Sequence, residues 1–143
     1  MRHTQLFKTK IFKLPILILR MRKILVVDDE TSVRQTERII LESEGYEVSE
    51  ASDADEAWLS VQKDAPDLIL LDIRMPGMPA IELVKKIKSS PSLRKIRIVY
   101  VTAIVGTKEF TKKVEGVIDA LEKPFKNEDL IKTVKEALSI EII

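Results

Sequence analysis

Asp67-Leu68-Ile69-Leu70-Leu71-Asp72-Ile73-Arg74-Met75-Pro76 is the stretch whose reading decides the fold. Four consecutive apolar residues end on a carboxylate, and a loop carrying proline follows at once. A run that short and that apolar reads as a strand covered on both faces, which requires a parallel sheet with helices on either side. Asp72 then falls at the carboxyl edge of the sheet, where open α/β sheets place their ligands.

Outward from this strand the same unit repeats. Ile24–Val27 is another short apolar run, ending on Asp28-Asp29. Thr31 or Ser32 opens a helix through about Glu44, with Val33, Thr36, Ile40 and either Ile39 or Leu41 at inward spacing, and Gly45 closes it. Tyr46–Ala51 alternates like a strand with one wetter face. Ser52 or Asp53 caps a second helix, with Ala54, Ala57, Trp58 and Val61 inward, that stops before Pro66. Beyond Asp72 the pattern predicts a helix from about Pro79 to Lys88, a strand over Ile96–Thr102, and a weaker helix over about Thr107–Glu115. A fifth strand over Val117–Leu121 follows. The last helix is capped by Asn127, with Leu130, Ile131, Val134 and Leu138 inward and Glu128 and Asp129 at its positive end. Five strand–helix units in strict alternation predict a doubly wound α/β fold: a five-stranded parallel sheet with five helices on two faces. No stretch is left over for an output domain.

Composition narrows the chemistry. The 143 residues are 45% hydrophobic and 33% charged, as in a soluble globular domain. There is no cysteine, which removes thiolate chemistry and fits a reducing, cytoplasmic setting. The only histidine is His3, so histidine triads and multi-imidazole zinc sites are excluded by inventory. Carboxylates, hydroxyls, lysine and a hard metal remain. Charge is unevenly spread: residues 1–23 hold seven Lys/Arg and no acid, leaving 17 basic against 23 acidic residues from Ile24 onward, a formal −6. An acidic body argues against direct nucleic-acid binding.

The strand ends carry Asp28-Asp29, Asp72, Thr102 and Lys123. Each has a plain structural account alone, as a helix cap, a solvated lysine or a turn threonine. All of them at the ends of strands one, three, four and five converge at the topological switch of such a sheet. Carboxylates brought together there repel by roughly 4 kcal/mol per pair at 4 Å and an effective dielectric near 20. A cation must offset them, and oxygen-only ligands suit Mg²⁺, with Mn²⁺ as a substitute. Asp28, Asp29 and Asp72 form the expected metal cluster. With that field reduced, Asp72 reads as a phosphate acceptor, Lys123 as a point charge for a phosphoryl oxygen and Thr102 as a hydroxyl donor for another.

The set Val-Asp-Asp-Glu (27–30), Leu-Asp-Ile-Arg-Met-Pro-Gly-Met (71–78), Val-Thr-Ala (101–103) and Leu-Glu-Lys-Pro-Phe (121–125) resembles the receiver domain of two-component response regulators. The resemblance covers essentially everything after Met21. It implies a flavodoxin-like sheet of order 2-1-3-4-5, like that of chemotaxis regulators, and a cis peptide at Lys123-Pro124. It also implies Asp72 as the acceptor of a phosphoryl group from a histidine kinase or a histidine-containing phosphotransfer protein. Asp28 and Asp29 would be the metal acids, the Arg74 backbone carbonyl a further metal ligand, and Thr102 and Lys123 the phosphate ligands. The expected protein is a stand-alone, cytoplasmic phospho-acceptor with at most weak self-dephosphorylation, not an enzyme. Its output would be a protein target, or a second copy of the chain, at the face of the fourth helix, fifth strand and fifth helix. The short polar fourth helix, with Lys108, Lys112, Lys113 and Val114, is the expected mobile element.

Departures from the family pattern are equally specific. Ala120 stands where the family carries an aromatic switch residue, with Tyr100 as a substitute candidate, and Pro79-Ala80 replaces the usual Asp-Gly. Arg74 and Ile104 flank the acceptor and the hydroxyl, at positions that in the family tune dephosphorylation, and both are bulky. These changes raise an alternative, an unphosphorylated docking or dimerisation module. A phosphatase with an aspartyl-phosphate intermediate ranks last, because Arg74 stands where that class wants a second acid. The basic, apolar stretch 1–20 contains Lys13 and Pro15 and is too short to span a membrane. It reads as a mis-assigned start before Met21, a packing segment, or a membrane-surface segment; the receiver domain is read as 21–143.

Overall fold

The computed structural model of the chain describes residues 21–142 other than 105, 107, 108, 110 and 112. In chain order the elements are β1 (Lys23–Val27), α1 (Thr31–Ser43), β2 (Glu47–Ala51), α2 (Ala54–Lys63) and β3 (Leu68–Leu71). They continue with α3 (Ala80–Ser89), β4 (Arg97–Thr102), β5 (Asp119–Glu122) and α4 (Asn127–Ser139). The strands form one sheet of order β2-β1-β3-β4-β5, parallel at every pairing.

All four residues of β3 are buried, which is why Leu68–Leu71 carries no polar alternation. The pleat sends successive side chains to opposite faces and so splits the apolar residues into two cores. On one face Leu25, Val27, Ile69, Leu71, Ile98 and Tyr100 pack with residues of α2 and α3. On the other Ile24, Val26, Leu68, Leu70, Val99 and Val101 pack with residues of α1 and α4. Parallel pairing in register brings the carboxyl ends of the strands to one edge: Val27 pairs with Leu71 and with Ala51, and Leu71 with Tyr100.

Four helices, not the expected five, stand among the described residues. Residues 107, 108, 110 and 112 of the helix expected over about 107–115 lie outside them, as do the readings of residues 1–20. The expected fifth helix is therefore α4. Its cap also differs from expectation. Asn127 is the first helical residue rather than the cap, and the Asp129 carboxylate accepts from the Lys126 backbone N–H at 3.2 Å. Asp53 does cap α2, its Oδ1 accepting from Glu56 N–H at 2.8 Å. Pro79 sits at the N-cap of α3, one residue earlier than expected.

The phase of α1 is the larger correction. Its buried positions are Glu37 and Leu41, while Ile39 is 68% exposed and Thr36 is exposed. An inward stripe drawn through apolar residues alone passed over the acid.

All four glycines have positive φ, among them Gly45 at 91° and Gly116 at 94°. A Cβ at Gly45 would meet nothing within 4 Å, whereas at Gly116 it would lie 2.8 Å from Lys88 Cγ and 3.2 Å from Val84 Cγ1. The Lys88 stem cannot swing freely, since its Nζ donates to the carbonyls of Arg94 and Ile96. Urea unfolding should therefore show Gly45→Ala losing about 1 kcal/mol for the left-handed backbone alone, and Gly116→Ala losing roughly 2 kcal/mol or more.

Candidate functional site

Main-chain bonds carry the strand ladders past their last residues. Asp28 N–H donates to Ala51 O at 3.2 Å, Asp72 N–H to Val27 O at 3.0 Å, and Lys123 N–H to Thr102 O at 2.9 Å. These bonds tie the carboxyl ends of β2, β1 and β3 together and β5 to β4, the Leu71–Tyr100 pairing joins β3 to β4, and the side chains beyond them meet.

Asp28, Asp29 and Asp72 each offer a carboxylate oxygen, all within 4.8 Å of one another. Asp28 and Asp72 are 2% and 6% exposed, and Asp29 faces solvent. The Lys123 ammonium reaches between the two buried acids, bonding Asp28 Oδ2 and lying 3.4 Å from Asp72 Oδ2. Burial would lower the Lys123 pKa, but the hydrogen bond to Asp28 and the charges of Asp72, Asp28 and Glu37 outweigh it, and the net shift is upward. Lys123 therefore stays protonated at neutral pH.

Local turns aim the acids. Asp28 Oδ1 accepts from Glu30 N–H at 2.9 Å, and Asp72 Oδ1 from Arg74 N–H at 3.0 Å, two Asx turns that fix each carboxylate against its own loop. Arg34, one turn into α1, donates to the Asp28 carbonyl at 2.6 Å and to Glu50 Oε1 at 3.2 Å. It pins the acid-bearing turn to edge strand β2. Thr102 is fully buried at the end of β4, and its Oγ1 has no hydrogen-bond partner among the described residues. The Lys123–Pro124 peptide is cis.

The three acids, one lysine ammonium set against them and an oxygen-only donor set fit a hard divalent ion. That arrangement, at the switch point of a 2-1-3-4-5 sheet, is matched by the family model described as the response regulator receiver domain, over residues 24–135. The chain belongs to that family. Among its relatives is the response regulator PleD of Caulobacter vibrioides, 38% identical over 123 residues, 85% of this chain and 27% of PleD. The phosphate regulon transcriptional regulatory protein PhoB of Escherichia coli is 35% identical over 118 residues, 82% of this chain and 52% of PhoB. The chain thus spans about half or less of these curated relatives. A solved structure of the chemotaxis response regulator CheY4 of Vibrio cholerae superposes with a TM-score of 0.75 at 36% identity, covering 82% of this chain and 98% of that one. A putative response regulator from Chloroflexus aurantiacus gives 0.78 at 28% identity, covering 85% and 100%. No helix among the described residues is long and apolar enough to cross a membrane.

Ala120 is buried beside its register partner Tyr100, which is 1% exposed. At this register the large ring therefore comes from β4 rather than from β5. Tyr100 is a core residue here, its phenol pKa raised by burial.

Sequence reasoning missed Glu37. It is 2% exposed on α1, and its Oε1 lacks a hydrogen-bond partner among the described residues. Burial pushes its pKa to about 8; Lys123 opposes the shift, while Asp28 and Asp72 add to it. The signal was present in the spacing Val33-Glu37-Leu41, an acid on the i, i+4 line of an inward stripe.

This carboxyl makes stability depend on pH in a defined direction. Below about pH 4.5 it is neutral in both states. Between 4.5 and 8 the unfolded chain ionises it while the folded chain does not, so folding stability falls as pH rises, by roughly 3–5 kcal/mol in total. In metal-free buffer, urea unfolding of Glu37→Leu should show wild-type-like or higher stability at pH 5. The gap in favour of the variant should widen steadily to pH 8.

Proposed function

We propose that this receiver, read as a stand-alone cytoplasmic unit spanning 21–143, accepts a phosphoryl group on Asp72 from a phosphohistidine of a kinase or phosphotransfer protein. One observation carries the reading: three carboxylates and one lysine ammonium meet at a single sheet edge. A carboxylate oxygen of Asp72 attacks phosphorus in line. The new O–P bond forms as the N–P bond of the donor breaks, and the leaving imidazole nitrogen takes up a proton from solvent.

Asp28, Asp29 and Asp72, with the Arg74 backbone carbonyl, would hold Mg²⁺ or Mn²⁺, whose charge lowers the negative field at the acceptor. The chain's own groups supply the rest. Lys123, already within reach of Asp72, donates to a phosphoryl oxygen once the group arrives. The Thr102 hydroxyl has no competing partner to break from and donates to another. The Arg74 N–H holds Asp72 Oδ1 and fixes the carboxylate plane. Arg74 and Ile104 are the bulky neighbours that restrict hydrolytic water.

The added group brings about −1.5 to −2 charge at neutral pH. Thr102 turning towards it reshapes the surface of the segment after β4, together with β5 and α4, where a protein target or a second copy docks. Buried Ala120 and the Pro79 cap favour a second reading, a docking or dimerisation module that is not phosphorylated.

An acyl phosphate with Mg²⁺ separates the two. Intact-mass measurement should show one phosphoryl group on the wild type, abolished by chelator and absent from Asp72→Asn. Lys123→Ala should keep the acceptor but trap less phosphoprotein, by tenfold or more. Equal labelling of wild type and Asp72→Asn would defeat the proposal.

A further inference from the structure

Behind Lys123, on the α1–α4 side of the sheet, lies a groove of about 440 Å³ that the phosphoryl-transfer reading leaves unused. Its walls are Val33 and Ile40 from α1 and Pro124 and Phe125 from the β5–α4 connection, with Glu37 and Lys123 as the charged members of the lining. We propose that this groove binds a small organic cation, an aryl- or alkyl-ammonium or amidinium, whose charge pairs with the Glu37 carboxyl while its apolar body lies along Val33, Ile40 and Phe125.

Three observations carry this. First, Glu37 is a buried acid whose Oε1 has no hydrogen-bond partner among the described residues. A buried carboxyl with an unpartnered oxygen in a groove lining is a half-built ion pair. The nearby cation does not complete it, because the Lys123 ammonium is engaged by Asp28 and Asp72. Burial holds the carboxyl against ionising, as its raised pKa records, and a cation brought into the groove reverses that balance.

Second, the acidic neighbours favour a cation. Glu37 lies in the field of Asp28 and Asp72, both buried, and Lys123 is the cation set against them. Third, the walls suit an organic cation better than a bare inorganic ion. A bare ion wants several anionic or carbonyl oxygens, whereas the groove offers one carboxylate and the neutral Ser32, Thr36 and Asn127 side chains beside a largely aliphatic and aromatic wall. An organic cation gains twice there, by burying its apolar part and by setting its charge near an aromatic ring and a carboxylate.

The inference does not depend on Asp72 being an acceptor, so the two fail separately. The test titrates benzylammonium into ¹⁵N-labelled protein with Mg²⁺ present and follows the amides of Val33, Ile40 and Phe125, with benzyl alcohol as the neutral probe of similar shape. Benzylammonium should bind at least tenfold more tightly than benzyl alcohol, and Glu37→Gln should remove that preference. Glu37→Leu, which inserts no polar group and should fold at least as well, should do the same. Equal binding of the two probes, an unchanged preference in both variants, or no shift at these amides would overturn the proposal. Acyl-phosphate labelling of the same samples reports separately on Asp72.

Discussion

Like charges brought to one edge of a sheet must be neutralised, and this constraint shapes the molecule around residues 28, 29, 72 and 123. Two of the three aspartates are almost wholly buried, so water screens them poorly, and their repulsion is set against the Lys123 ammonium lodged between them. The lysine comes from β5, the acids from β1 and β3. Charge compensation therefore works only if strands distant in sequence are adjacent in space. The parallel sheet supplies that adjacency, and backbone bonds beyond the last ladder residues hold it.

The remainder of the fold makes this edge rigid. β3 is buried along its whole length, and the alternate residues of β1, β3 and β4 feed two separate cores. Neither face of the central strands meets water, so a shift of one strand relative to its neighbours would move apolar side chains on both sides at once. Arg34 adds a polar tie across the edge, linking α1, the Asp28 turn and β2 through one guanidinium. Rigid placement suits a site whose chemistry is positioning and charge rather than covalent machinery.

Much of this was legible in the sequence because the decisive signals are local. Leu68–Leu71 announces a doubly covered strand, and Asp53 followed by a helix-forming run announces a cap that the structure contains. The acids and the lysine were legible as strand-end residues, since each follows an apolar run directly. What escaped was whatever depends on a neighbour far along the chain. Glu37 was read past because a buried acid violates the rule by which inward positions are chosen, and nothing in α1 itself reveals the Lys123 field that surrounds it. The α4 cap was assigned to Asn127 on residue preference, whereas Asp129 reaches back from the helix instead, an arrangement that two acids in one first turn made equally available.

Tyr100 and Ala120 stand side by side in register, and Thr102 ends the strand that carries the ring. Ring and hydroxyl therefore share one backbone, two residues apart, and the ring is clamped in the core. Where two such groups ride on separate strands, each has its own freedom of travel; here they belong to a single anchored rod. The hydroxyl keeps one inexpensive motion, a turn about its own Cα–Cβ bond, while any larger excursion must drag a phenol out of its packing.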